Sequence, residues 1–248
     1  MTGRGSEELA ERLRTAAEEE LAELVERLGA ELEPQVARQA FRNPFLTADL
    51  IERLLGAPKL LASYAVRREA VFHPRTPRVL ALRFVPGLWW ADLARLGTDS
   101  RLHPVLRRAG DLRLIERLPG LAVGERMAVA RSASPGVIAT LRLDPTPRVI
   151  QALLENPRLT EGLLMPLIAS EVASPRALAT VAASPRWACR PPVRAALCRN
   201  PATPMAQAMA LLPMLGKREL GAVAADPRLP LLLRRKAQLL SGSDVGPA

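Results

Sequence analysis

Apolar residues recur along this chain at three- and four-residue steps, in short runs that end at proline-bearing turns. Leu9, Leu13, Ala17, Leu21, Leu24 and Leu28 form one stripe between residues 7 and 28, the spacing of a single long amphipathic helix. Gly29 is expected to end it. Further on, Val149, Ile150, Leu153 and Leu154 share one face, and Leu163, Leu164, Leu167 and Ile168 share another. Helices with one apolar face cannot bury it alone and must stack on their neighbours.

The turns repeat as well. The clearest is Asn200-Pro201-Ala202-Thr203-Pro204. The residue before a proline is steered out of the helical region, and the proline cannot continue a helix. Thr203 is expected to cap the next helix, with Pro204 at its first position. Related phrases follow one another at Asn43-Pro44 with Thr47, His73-Pro74-Arg75-Thr76-Pro77, His103-Pro104, Ser134-Pro135 and Asp144-Pro145-Thr146-Pro147. Asn156-Pro157 with Thr160, Ser174-Pro175, Ser184-Pro185 and Asp226-Pro227 complete the series.

Their spacing predicts the architecture. Positions 43, 73 and 103 are 30 apart, 134 is 31 further on, 144 and 174 are 30 apart, and 174, 200 and 226 are 26 apart. A helix pair every 26–31 residues reads as an all-α, right-handed α-solenoid of stacked helix pairs. The register slips between 134 and 144, which marks a bend or a border between two stacks. The expected organisation is an acidic N-terminal capping helix over residues 1–33, a repeat array over 34–240 and a frayed tail over 241–248.

Composition fits this picture. Of 248 residues, 48% are hydrophobic and only 3% aromatic, too few aromatics for an ordinary strand-rich chain. The 23 prolines are tolerable between many short helices and ruinous within long ones. Cys189 and Cys198 are too few for a disulfide framework or a zinc site and read as reduced, buried thiols. His73 and His103 read as turn residues standing where Asn or Asp stands elsewhere. The polar and charged N-terminal segment is no signal sequence, and no apolar stretch is long enough to span a bilayer, so a cytoplasmic location is expected.

The net charge is +10, divided as −6 over residues 1–33 and +16 over the rest. Only Lys59, Lys217 and Lys236 among the 35 basic residues are lysine, a skew that a GC-rich genome also produces. It weakens the inference from charge to nucleic acid.

Asn-Pro or Asp-Pro turns followed by Thr-Pro and a Val/Leu/Ala-rich helix resemble the HEAT-like repeats of bacterial proteins and the leucine-rich-repeat-variant group. The resemblance covers about residues 40–240. It implies a scaffold or binding surface. The iron–sulfur module of some leucine-rich-variant proteins needs a cysteine cluster, which this chain lacks. Some HEAT-like solenoids are alkylpurine DNA glycosylases that use tryptophans with an acidic residue, a pattern echoed in type only by Trp89, Trp90 and Asp92. Trp89 and Trp90 also read simply as a helix start.

No phosphate loop, nucleophile motif or metal-ligand cluster is present in the sequence, so neither catalysis, cofactor, metal nor small-molecule substrate is expected. The arginines remain: Arg67, Arg68, Arg75 and Arg78 around one turn, Arg107 and Arg108 beside a bend expected near Gly110, Arg190 and Arg194, and Arg234 and Arg235 near the end. In a solenoid such positions align into stripes. The sequence therefore reads as a non-enzymatic scaffold for protein–protein interaction, with sequence-independent nucleic-acid binding through an arginine face as the alternative and a glycosylase as a distant third.

Overall fold

A computed structural model describes residues 3–242; the end of the tail expected to fray lies outside them. Every regular element among the described residues is helical, and the chain divides into two compact units, Met1–Arg117 and Leu118–Ala248. The division falls ahead of the register slip at 134–144.

The first unit holds α1 (Gly3–Thr15), α2 (Glu18–Leu28), α3 (Pro34–Ala40), α4 (Ala48–Gly56), α5 (Pro58–Ala62), α6 (Tyr64–Phe72), α7 (Arg78–Phe84), α8 (Trp90–Thr98) and α9 (Pro104–Arg117). The second holds α10 (Val123–Ser132), α11 (Pro135–Leu141), α12 (Pro147–Leu154), α13 (Glu161–Ala169), α14 (Pro175–Ala182), α15 (Pro185–Ala188), α16 (Pro191–Arg199), α17 (Met205–Leu211), α18 (Lys217–Ala225) and α19 (Leu231–Ser241). Eight of these helices open on proline, where its missing N–H leaves no helical bond unmade. Packing is often between next-but-one helices: α1 on α3, α2 on α4 and α7 on α9 in the first unit, and α10 on α12, α11 on α13 and α17 on α19 in the second. The predicted faces are the buried ones. Val149, Ile150, Leu153 and Leu154 lie in the core, as do Leu164, Leu167 and Ile168, while Leu163 is only half-buried.

Five of the turn phrases share one geometry; the Ser-Pro phrases differ, because Ser134, Ser174 and Ser184 are themselves helix N-caps with the proline at the first helical position. In the five, the side chain of the first residue accepts the N–H two residues on: Asn43 from Phe45 at 2.8 Å, Asn156 from Arg158 at 2.7 Å, Asn200 from Ala202 at 2.8 Å and Asp226 from Arg228 at 3.1 Å. His73 does the same through Nδ1, accepting from Arg75 at 3.3 Å. The third residue on is buried, as Leu46, Thr76, Leu159, Thr203 and Leu229 show. The fourth is the helix N-cap.

That fourth slot corrects the expected role of Thr203. Where the slot holds threonine, the hydroxyl caps: Thr47 accepts from Leu50 N–H at 3.4 Å and Thr160 from Leu163 N–H at 3.3 Å. In the Thr-Pro variants the proline takes the slot, as Pro77 and Pro204. Thr76 and Thr203 then fall in the buried third position, and their hydroxyls have no hydrogen-bond partner within the protein.

The asparagines do a second job. The amide of Asn43 donates to Leu13 O and Ala16 O at 3.1 and 2.9 Å, that of Asn156 to Ala130 O and Ala133 O at 2.7 and 3.1 Å, and that of Asn200 to Ile168 O and Ser170 O at 2.5 and 2.9 Å. Each therefore fastens its turn to the carbonyl end of an earlier helix, supplying donors that such an end lacks. At the His73 turn Arg75 reaches back instead, its Nη1 donating to Pro44 O and Leu46 O of the preceding Asn43 turn at 2.7 and 3.1 Å. At the turns that begin with Asp99 and Asp226, the arginine two residues on pairs with the aspartate instead. Arg101 binds Asp99 at 2.7 Å and Arg228 binds Asp226 at 2.8 Å. The arginine holds the Asp226 carboxyl down at about 2.

Four further expectations are corrected. Residues 7–28 are not one helix: the backbone turns extended at Ala17, φ −66° and ψ 167°. The Leu13 and Ala16 carbonyls just ahead of that break bind the Asn43 amide. The third turn begins at Asp99, which accepts from Arg101 N–H at 3.1 Å, and His103 occupies its fourth slot. Gly110 makes no bend. It lies inside α9, where an added Cβ would meet Leu96 Cδ2 at 2.9 Å, so it permits close approach of α8. Finally, only Cys198 is buried, its thiol pushed up to about 12 chiefly by burial; Cys189 is exposed.

Two outcomes follow for stability. Asn200→Ala should lower unfolding free energy by roughly 2–4 kcal/mol in urea, since each buried carbonyl left unpaired costs ~1–3 kcal/mol. Thr203→Val should be neutral or stabilising, because it removes an unpartnered hydroxyl and no cap. A loss of stability in Thr203→Val as large as that in Asn200→Ala would contradict both assignments.

His73 supplies a pH test. Burial, with a smaller contribution from Arg75, lowers its pKa below the usual 6.5, and its turn bond needs a neutral Nδ1. Protons then bind the unfolded chain more readily than the folded one just below pH 6.5, so this contribution is full above that pH and declines as pH falls towards the folded pKa. His73→Asn should remove that part of the acid sensitivity, read as a smaller fall in melting temperature between pH 7.5 and 5.5.

Candidate interaction surface

A second turn type, not recognised in the sequence reading, positions the most conspicuous exposed side chain. An apolar residue, a proline and a leucine frame it: Val85-Pro86-Gly87-Leu88, Leu118-Pro119-Gly120-Leu121 and Leu212-Pro213-Met214-Leu215. Each proline tightens the chain into a short 3₁₀ turn, closed by Leu88 N–H on Val85 O, Leu121 N–H on Leu118 O and Leu215 N–H on Leu212 O at about 3.1–3.2 Å. A new helix opens two residues after the leucine.

At two of these openings an acid three residues into the helix reaches back to the cap N–H. Glu125 accepts from Ala122 at 2.8 Å and Glu219 from Gly216 at 2.9 Å. Asp92 occupies the equivalent place after Trp89. With one methylene fewer it does not make this bond, and Tyr64 bridges the gap. The Tyr64 hydroxyl accepts from Trp89 N–H at 3.1 Å and donates to Asp92 Oδ2. Burial first, and then this bond, raise the Tyr64 pKa, so the phenol keeps its proton at neutral pH.

The same bridge lays the Tyr64 ring against Trp89. The rings stack with centroids 4.7 Å apart and planes 20° from parallel, and Trp89 is still 66% exposed. Trp90, the next residue, is half-buried. Around the pair, Arg68 Nε binds Asp92 Oδ1 at 2.6 Å, Glu69 lies 3.5 Å from Arg68, and Arg38 binds Glu69 at 2.9 Å. These two arginines and two acids balance. Arg117 donates to Leu88 O and Pro86 O at 2.5 and 2.6 Å, and Arg67 reaches the neighbourhood of Gly87.

The ten arginines singled out from the sequence divide between the units. Arg68 and Arg75 are held as described. Arg78 lies 3.2 Å from His103 Nε2. Arg190 pairs with Glu161 at 3.5 Å and sits 4.5 Å from the Trp187 ring centroid. Arg234 donates to Ala224 O at 3.1 Å. Arg67, Arg107 and Arg194 are half-buried, each with an Nε that has no partner within the protein, while Arg108 and Arg235 are exposed. The missed contributors are Tyr64, the chain's one tyrosine, and Arg117. The acids four residues past the leucine of each Pro-x-Leu turn were the signal that could have found Asp92's structural role.

Among the described residues no cluster of His, Cys, Asp and Glu could hold a metal ion, and no helix is long and apolar enough to cross a membrane. No family model, curated protein or solved structure matches the chain.

Tyr64→Phe should cost about 1–3 kcal/mol in urea unfolding, because it leaves Asp92 short of one donor and Trp89 N–H short of its acceptor. Asp92→Glu, which can close the cap directly, should cost less than Tyr64→Phe. The reverse order would show that Asp92 is not acting as a cap acid.

Proposed function

We propose that the chain is a non-enzymatic, HEAT-like helical-repeat scaffold, a right-handed solenoid of stacked helix pairs, whose acidic residues 1–33 cap the array and whose surface binds a protein partner in the cytoplasm. The observation that carries this reading is Trp89. A large aromatic ring, 66% exposed, is stacked on Tyr64, whose hydroxyl also accepts from the Trp89 backbone N–H. Such a ring loses little freedom on binding, and rigid aromatics dominate protein–protein contacts. The ion pairs beside it are internally balanced. Both carboxylate oxygens of Asp92 already have partners, Tyr64 and Arg68, an arrangement that suits a structural acid better than a catalytic one.

One observation favours sequence-independent nucleic-acid binding as a second reading. Arg117 and Arg67 flank the segment that leads into Trp89, and an aromatic face beside cations is also what stacks a single-stranded base.

Affinity capture with nuclease-treated and untreated extracts separates the two. Capture of the same protein by the parent chain with or without nuclease, lost in Trp89→Ala at unchanged melting temperature, is the expected result. Single-strand binding that persists at ~0.15 M salt, where screening acts within about 8 Å, and that disappears in Arg67→Ala with Arg117→Ala, would replace the protein partner with nucleic acid.

A further inference from the structure

The last helix carries an arrangement unlike the first two. On α1 and α2 the exposed positions are mostly Glu and Arg, with the leucines turned inward, as a polar terminal repeat requires. On α19 the inward side is Leu233 and Ala237, only 2% and 0% exposed, while Leu231, Leu232 and Leu239 are 57%, 61% and 74% exposed and Leu240 is 37% exposed. Arg235 and Lys236, both exposed, lie between the two leucine pairs. Eight residues of helix separate Leu231 from Leu239, about 12 Å at 1.5 Å per residue. The helix contains no acidic residue, and neither cation has an ion pair among the described residues.

What covers this face must bring apolar groups at both ends and negative charge at the middle. A second copy of α19 does not qualify. Antiparallel pairing about the helix centre would set Arg235 and Lys236 of one copy against those of the other, and like charges there oppose association. A bilayer fits poorly too, because cations at the centre of the apolar face would be drawn in with the leucines instead of flanking them. The neighbouring α18, packed along α19, exposes Gly221, Ala222 and Ala225, and an added Cβ at Gly221 would meet nothing. Small side chains beside large ones leave room for the ridge of another helix.

We propose that the outward face of α19 docks an acidic amphipathic helix of a partner protein, its apolar residues against the leucine pairs and its carboxylates against Arg235 and Lys236. The surface belongs to the second unit, and its test does not depend on Trp89.

The probe is a labelled peptide with the sequence of residues 229–242 carrying Arg235→Glu and Lys236→Glu, which keeps the leucine spacing and reverses the central charge. Its binding to the full chain is read by fluorescence anisotropy at ~0.15 M salt, with the unaltered peptide as control. The charge-reversed peptide should bind at least about tenfold tighter than the control. Leu232→Asp with Leu239→Asp in the chain should abolish binding while circular dichroism stays that of the parent. Arg235→Glu with Lys236→Glu in the chain should invert the preference between the peptides. Equal binding of both peptides, or no binding of either, overturns the proposal. Leu239-dependent self-association in sedimentation, or Leu239-dependent pelleting with phosphatidylserine vesicles without peptide binding, overturns it in favour of a second copy or a lipid surface.

Discussion

A fold made of many short helices has many helix ends, and each end leaves backbone carbonyls without an intrahelical donor. Most of these helices are well under the length at which an isolated helix is stable in water, so their ends cannot be left to fray. The chain meets this constraint with side-chain donors sent from a turn some 23–32 residues later, by Asn43, Asn156 and Asn200. Arg186 does the same at Leu154 O with its guanidinium, Trp187 adds its indole N–H on Leu154 O at 3.0 Å, and Arg75 and Arg117 send guanidinium donors to carbonyls of earlier turns. One side chain thus both shapes its own turn and ties it to the preceding structure, which links local geometry to tertiary packing.

That constraint also explains much of the arginine. A guanidinium is a rigid fork of donors that remains charged, well suited to a pair of carbonyls. Arginines recur two residues into the turns, at Arg75, Arg101, Arg158 and Arg228, and there they cap carbonyls or lock the turn aspartate. The basic composition therefore follows in part from how the turns are built. It is a weaker guide to a polyanionic partner than the isoelectric point alone implies, and the exposed apolar groups at Trp89 and on α19 become the more informative surface features.

The all-helical class, the placing of turns at Asx-Pro phrases and the buried faces of α12 and α13 were legible because each rests on local periodicity or on the stereochemistry of proline. What escaped depended on contacts between distant residues. Nothing near Ala16 and Ala17 announces a helix break; its carbonyls are matched by an amide at Asn43. Thr203 carries a capping residue type, but Pro204 displaces it by one position into the core. Gly110 looks like a bend and is a point of close approach for Leu96. Asp92 and Tyr64, 28 residues apart, gave no joint signal because an aspartate in place of Glu125 or Glu219 hides the shared capping position.

The central claim is that the asparagine turns are part of the cooperative core and are not surface loops. Native-state hydrogen exchange of the Phe45, Arg158 and Ala202 amides tests it most directly, since each donates to the side chain of its own turn asparagine. The account predicts that these three amides are protected to the level of the buried helix interiors and exchange only with global unfolding of the unit that contains them. Exchange at the rate of exposed loop amides, while the neighbouring helices stay protected, would contradict it.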